Sequence, residues 1–452
     1  MTTARTKELL RRDTAHFLHA FANVGESPKL IWERGSGARL WDTDGREYID
    51  MSSGGAQCTH LGFARKELND AAYEQMQKIS HVMSAPPYSS LPAIEYAKAL
   101  SEVLPGDINH VFFTTSGTES NEAALKIAKL YWNARGQAAK YKIICLSDAY
   151  HGASHMTATL MGRLTGRFGF GPEAAGVVRV PHYHCYWCPF KLKYPSCNIT
   201  CARFIERVIQ QEGADSIACM IAEPIQGYAG IVWPPDEYWP IVNNILKEHS
   251  ILLIADEVQN GFCRTGKFWG VSNWNITPDM MTMGKGINSV YLPLGAIGVS
   301  DKVWKDLKGH YLLAGGTASG HPVCVATAKA ALKIYIKEKL DERAARLGKH
   351  IHDRLTREFL PLPCVDDIMG RGLAQSFEIA LGKTTHSEFD PEAQRKTSIE
   401  IHSRFLEKGV YTRIEWDRRV YLTPPLIIGE DELDKALDIM LDVMKEVRPL
   451  NI

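Results

Sequence analysis

Between about Asn109 and Ser300 the chain alternates short apolar runs with stretches of helix formers, and this alternation limits the possible fold more than any other feature. HVFFTT, KIICL, IACMIAE, ILLIADE and LGAIGVS are the strand candidates. A strand covered by helices on both faces reads as a continuous apolar run, so the pattern predicts an α/β fold with a mostly parallel sheet between helices. Ser116 to Trp132 and Val323 to Lys339 have the composition of strong helices. Towards the C-terminus, helices over Thr397 to Lys408 and Glu430 to Glu446 mix with strand-like GVYTR and RVYLT, as a smaller α+β unit would. IWERGSGARLWDTDGREYIDM reads as a hairpin turning at Asp44-Gly45. The expected organisation is an N-terminal segment, 1–65, contributing to the small domain and the site, a large domain, 66–325, and a C-terminal small domain, 326–452.

Charge excludes some functions. Lys plus Arg is 52 and Asp plus Glu is 52, so there is no net field to attract nucleic acid or an anionic membrane. The first twenty residues lack the apolar run of a secretory signal, and no stretch of about 18 apolar residues follows, so the expectation is a cytoplasmic protein with no membrane contact. In that setting ten cysteines are expected to be reduced thiols.

Three strand ends carry chemistry. Phe112 to Glu122 runs from a strand through Ser116-Gly117-Thr118 into a helix; small side chains, exposed N–H groups and the positive end of a helix dipole suit a phosphate, and an ordinary helix cap at Ser116 or Thr118 is the plainer reading. The apolar run from Ile251 ends in Asp256-Glu257, where a carboxylate can hold a cation or a protonated ring nitrogen, or simply cap a helix. In Met281-Thr282-Met283-Gly284-Lys285-Gly286 a lysine stands between two glycines, which suits either a Schiff-base nucleophile or a surface turn. Phosphate anchor, acid and amine on one sheet edge are together what pyridoxal 5'-phosphate requires.

These residues resemble the class III, or omega, aminotransferases of the fold type I pyridoxal-phosphate enzymes. TTSGTESNEAALKIAK, AYHGAS, AEPIQG, ADEVQNGFCRTGKFWG, PDMMTMGKG and GGTASGHPVC occur in the family's order, from about Trp32 to Ile428. The resemblance implies a large domain with a seven-stranded sheet that binds pyridoxal 5'-phosphate. It makes Lys285 the Schiff-base lysine, Asp256 the acid on the pyridine nitrogen, and Ser116, Gly117 and Thr118 the phosphate turn. Tyr150, followed by His151, would stack on the ring and Val258 would cover its other face; Glu223 would stand behind Asp256 and Gln259 near the ring hydroxyl. Thr317 would reach the phosphate of a neighbouring subunit, implying a homodimer or a dimer of dimers with shared sites. The implied activity is transamination of an omega-amino acid or primary amine, such as taurine or β-alanine, with pyruvate or another keto acid. The alternative within the same fold is an amino-acid racemase or epimerase.

The sequence departs from ornithine- and GABA-type relatives at Tyr421, where they carry an Arg three residues before Pro424-Pro425. Arg413 is then the candidate for the acceptor carboxylate, with Arg418 and Arg419 as rivals. Gln57 stands where amine transaminases often have Trp, which leaves room for a polar substrate tail. Cys185-x2-Cys188-x8-Cys197-x3-Cys201 has spacing that could bind zinc, form disulfides or merely pack; the resemblance implies no metal.

Overall fold

A computed structural model describes residues 2–162, 166–380, 391–415 and 418–447. Strands β1 (Trp32–Ser36), β2 (Arg39–Asp42) and β3 (Glu47–Asp50) form an antiparallel meander. Its expected turn forms because Asp42 Oδ1 accepts the N–H groups of Asp44 and Arg46, both at 2.9 Å, while Gly45 takes φ +80°, where a side chain is strained. The sequence reading did not anticipate β1 as a third strand.

Seven strands build the central sheet: β4 (Ile108–Thr114), β5 (Lys142–Leu146), β6 (Val177–Val180), β7 (Ile217–Ala222), β8 (Leu252–Asp256), β9 (Met280–Met283) and β10 (Gly295–Ser300). Their order is β4-β10-β9-β8-β7-β5-β6. Strands β5 to β9 pair in parallel, whereas β10 runs antiparallel to both β4 and β9. Every residue of β7, β8, β9 and β10 is buried, which is why these strands read as unbroken apolar runs.

Helices cover both faces. Ala124, Ile127, Ala128 and Trp132 of the helix Gly117–Ala134 join Ile143, Ile221, Ile254 and Ile297 in one core. Alternate residues of the same strands, Ile144, Met220 and Leu253, face Ile205, Val242 and Leu246 on the other side. Each Ile, Leu, Val or Met side chain among them contributes about 1.5–3 kcal/mol by leaving water.

A second antiparallel sheet, ordered β11-β12-β15-β14, comprises β11 (Val365–Arg371), β12 (Ala374–Ile379), β14 (Ile414–Glu415) and β15 (Arg419–Leu422). Strand β13 (Val410–Tyr411) leaves that region and pairs in parallel with β3. The helix expected from Thr397 starts earlier, at Pro391, a residue whose fixed φ suits a first helical turn.

Candidate active site

Parallel pairing brings the chemistry to one edge. Asp256 ends β8 in register with Thr282 of β9, and Ala222, preceding Glu223, pairs with Ala255. Lys285 follows β9 through Gly284, and Ser116 follows β4, which runs in the same direction as β9. This carboxyl edge is where α/β sheets bind ligands.

Ser116 caps the helix Gly117–Ala134, its Oγ accepting the Glu119 N–H at 3.2 Å. The N–H groups of Gly117 and Thr118 open that 18-residue helix and have no partner within it. Capping and anion binding are therefore compatible here. Gly117 has a further reason to lack a side chain: a Cβ would lie 2.8 Å from both methyls of Val258. On the other side, Gly284 approaches Val258 and the Gly117 backbone. The phosphate-type turn, the Asp256 strand end and the Lys285 turn thus pack directly on one another.

Asp256 is buried, and its orientation is fixed. Oδ2 accepts from Asn121 Nδ2 at 2.8 Å and meets His151 Nδ1 at 2.8 Å, while Oδ1 accepts the Val258 N–H at 3.0 Å. Asn121 also donates to the His151 carbonyl at 2.7 Å and accepts from Thr282 Oγ1 at 2.6 Å. Asn121 and Thr282 were not singled out from the sequence. The available signal was the spacing of Asn121 four residues after Gly117, which puts both on one helix face.

Lys285 has φ +36°, an unusual conformation for a residue with a side chain, of a kind that costs roughly 1–3 kcal/mol and clusters at functional sites. The following residue is clamped: Tyr335 donates to the Gly286 carbonyl at 2.7 Å, and a Cβ on Gly286 would strike His60 at 2.7 Å. Burial draws the Lys285 ammonium down to about 8, with Cys58 and Asp256 opposing and Arg413 reinforcing the shift. Burial also pushes Glu223 up to about 7. Its carboxyl is held by the N–H groups of Tyr150 and Gly227, both at 3.2 Å. The Tyr150 ring lies 4.9 Å from Tyr228 and 6.3 Å from Phe21, and Phe21 and Tyr228 line a cleft of about 760 Å³.

The three candidate arginines separate. Arg419 is 1% exposed and paired with Glu378 at 2.7 Å and with Asp367. Arg418 stacks 4.2 Å from the Trp187 ring and contacts Glu378 at 3.2 Å. Arg413 instead donates to the Gly55 carbonyl at 3.3 Å and lines a cleft of about 370 Å³ with Gly55 and Tyr411. Its charge acts on both Lys285 and Tyr150. Tyr421 is committed elsewhere, its hydroxyl donating to the Gly227 carbonyl at 2.7 Å. Gln57 is buried in the turn before Cys58, whereas Thr317 is exposed, in a turn whose Gly316 approaches Glu119.

Two buried polar atoms have no hydrogen-bond partner among the described residues: Nε2 of His151, whose other ring nitrogen meets Asp256, and Oε1 of Gln259, which lies beside Gly227. Leaving such an atom unpaired costs about 1–3 kcal/mol, so each favours a polar partner. Helix-end donors, a fixed carboxylate and a lysine of lowered pKa fit pyridoxal 5'-phosphate.

Comparison with known proteins agrees. The family described as Aminotransferase class-III matches residues 21–444. The putrescine–pyruvate aminotransferase of Pseudomonas aeruginosa is 30% identical over 97% of this chain and 96% of its own. The gamma aminobutyrate transaminase 2 of Solanum lycopersicum is 32% identical over 92% of each chain. Among solved structures, a thermostable (S)-enantioselective omega-transaminase from Thermomicrobium roseum superposes with a TM-score of 0.93 at 35% identity, covering 98% of this chain and 99% of that one. The chain belongs to the class III aminotransferases, pyridoxal-phosphate enzymes of fold type I.

Proposed function

We propose that this aminotransferase moves the amino group of a primary amine or omega-amino acid onto pyruvate or a similar keto acid. The observation that carries the acceptor side is the separation of the arginines. Arg413 is the one within electrostatic reach of Lys285, while Arg418 and Arg419 are held by Trp187, Glu378 and Asp367. A charge-assisted pair with Arg is the strongest contact a side chain offers a carboxylate. Among the relatives, the P. aeruginosa enzyme is named for putrescine and pyruvate. The racemase alternative has no observation in its favour.

Bound pyridoxal phosphate supplies an aldehyde to take up the amine and a ring to accept the electrons left when the substrate carbon loses its proton. Lys285 would hold the cofactor, and its amine, which burial keeps able to lose a proton near pH 8, would be the base that moves that proton. Asp256, fixed by Asn121, His151 and the Val258 N–H, would keep a proton on the ring nitrogen. Ser116, Gly117 and Thr118 would bind the phosphate, Tyr150 and Val258 would cover the ring, and Gln259 would meet its hydroxyl. Glu223 positions Tyr150 through the backbone. Gln57 bounds the substrate space with a polar wall, and Thr317 completes the site of a second subunit in a cytoplasmic homodimer.

A donor-by-acceptor panel tests the reading. Turnover of terminal diamines or omega-amino acids with pyruvate is expected. Racemisation of one amino-acid enantiomer without any keto acid, and no amino transfer, would overturn it.

A further inference from the structure

Transamination has no use for the cysteine-rich segment 182–201. Its four cysteines, Cys185, Cys188, Cys197 and Cys201, line one cavity of about 20 Å³, room for a single water-sized atom. Cys185 lies within electrostatic reach of Cys197 and Cys188, and Cys201 within reach of all three. None is in a disulfide. The neighbouring histidines are engaged elsewhere: His182 meets Asp148 at 3.2 Å, and His184 Nδ1 accepts the Trp187 N–H at 3.3 Å. In this arrangement the sulfurs are not drawn into a closed shell, and among the described residues no three His, Cys, Asp or Glu side chains form a metal-binding group.

We propose that Cys185, Cys188, Cys197 and Cys201 form a site for one thiolate-binding divalent cation, zinc in type, which closes when the four side chains turn inward about their single rotatable Cα–Cβ bonds. Two close pairs joined by a short loop give the four sulfur ligands of a structural tetrahedral site. Binding releases the thiol protons to solvent and changes no oxidation state.

The placement gives the ion a role. Between Cys185 and Cys188 lie Tyr186, which donates to Asp366 at 2.8 Å, and Trp187, which donates to Glu378 at 2.9 Å and carries Arg418 on its ring. Cys201 lies on the helix Thr200–Glu212, which packs on the central sheet. A bound ion would therefore brace that helix against β11 and β12.

Holoenzyme produced with zinc and dialysed free of loose metal should retain about one zinc per chain by mass spectrometric metal analysis. Cobalt(II) added to the metal-stripped protein should give the intense red-region bands of tetrahedral cobalt thiolate, away from the pyridoxal chromophore. Cys188→Ser and Cys201→Ser should each abolish the stoichiometric metal. The proposal fails if the unaltered protein gives no cobalt bands, or if the bands survive both substitutions. Should a serine variant not fold, the cobalt titration of the unaltered protein still decides.

Discussion

Replacing Gly117 with Ala tests the packing that joins the phosphate turn to the Asp256 strand end. The new Cβ would sit 2.8 Å from both Cγ atoms of Val258, well inside the ~3.5–4.0 Å of ordinary carbon contact. Helix propensity favours Ala over Gly by at most ~1 kcal/mol, and less at a first position, so the clash decides the sign. Overpacking of this kind costs about 1–3 kcal/mol. Movement of the turn away from Val258 spoils the donor cradle, so the expected loss appears in cofactor affinity, about 5- to 150-fold at ~1.4 kcal/mol per tenfold. Titrating apoenzyme with pyridoxal phosphate, followed by its absorbance, reads that constant. Gly117→Ala should cost much less affinity in a chain already carrying Val258→Ala than in the unaltered chain, the difference being a coupling energy of the size of the clash. Unchanged affinity in Gly117→Ala, or an equal loss on either background, would refute the reasoning.

Lys285→Ala should abolish turnover, and borohydride reduction of the unaltered enzyme followed by peptide mapping should find the phosphopyridoxyl group on Lys285; a label on another lysine sinks the assignment. Arg413→Ala should lower kcat/KM for the keto acid by about 2–4 kcal/mol, the scale of a lost charge pair, and leave the half-reaction with an uncharged-tail amine nearly unchanged. Equal losses in both halves would make Arg413 structural. Glu223 and Glu257 have their pKa values raised by burial from 4.5 to about 7. Their neutral forms stabilise the fold fully below pH ~4.5, and that contribution falls away as pH rises to about 7. Thermal melts of the apoenzyme across this window should show Tm declining with pH, with a shallower slope in Glu257→Gln; an identical slope in the variant would contradict the burial argument.

The positions of Asp256 at the end of β8 and of Lys285 just past β9 were legible because each closes an apolar run with a charged group that a core strand does not tolerate without reason. Thr282 was hidden for the opposite cause: among Met280 to Met283 a threonine is an unremarkable strand residue until its hydroxyl is seen on Asn121. The apolar runs located most strands of the sheet, but Val177–Val180 contains Arg179 and is only partly buried along most of its length, so it left no clear run. The reversed direction of β10 was equally invisible, since composition records burial and not polarity of the chain. Choosing among Arg413, Arg418 and Arg419 required Glu378 and Asp367, acids that only folding brings beside them.

The pairing of β13 with β3 also sets a timetable. Val410 bonds alongside Ile49, and Met51 donates to the Tyr411 carbonyl at 2.8 Å, across more than 350 residues of chain. At ~5–20 residues per second, the ribosome would take roughly 20–70 s to deliver the second strand after the first. During that interval the meander must wait with an open edge, exposed to the wrong neighbours. Arg413 and its cleft cannot exist until this late closure, so the part of the site that they form is the last to be built.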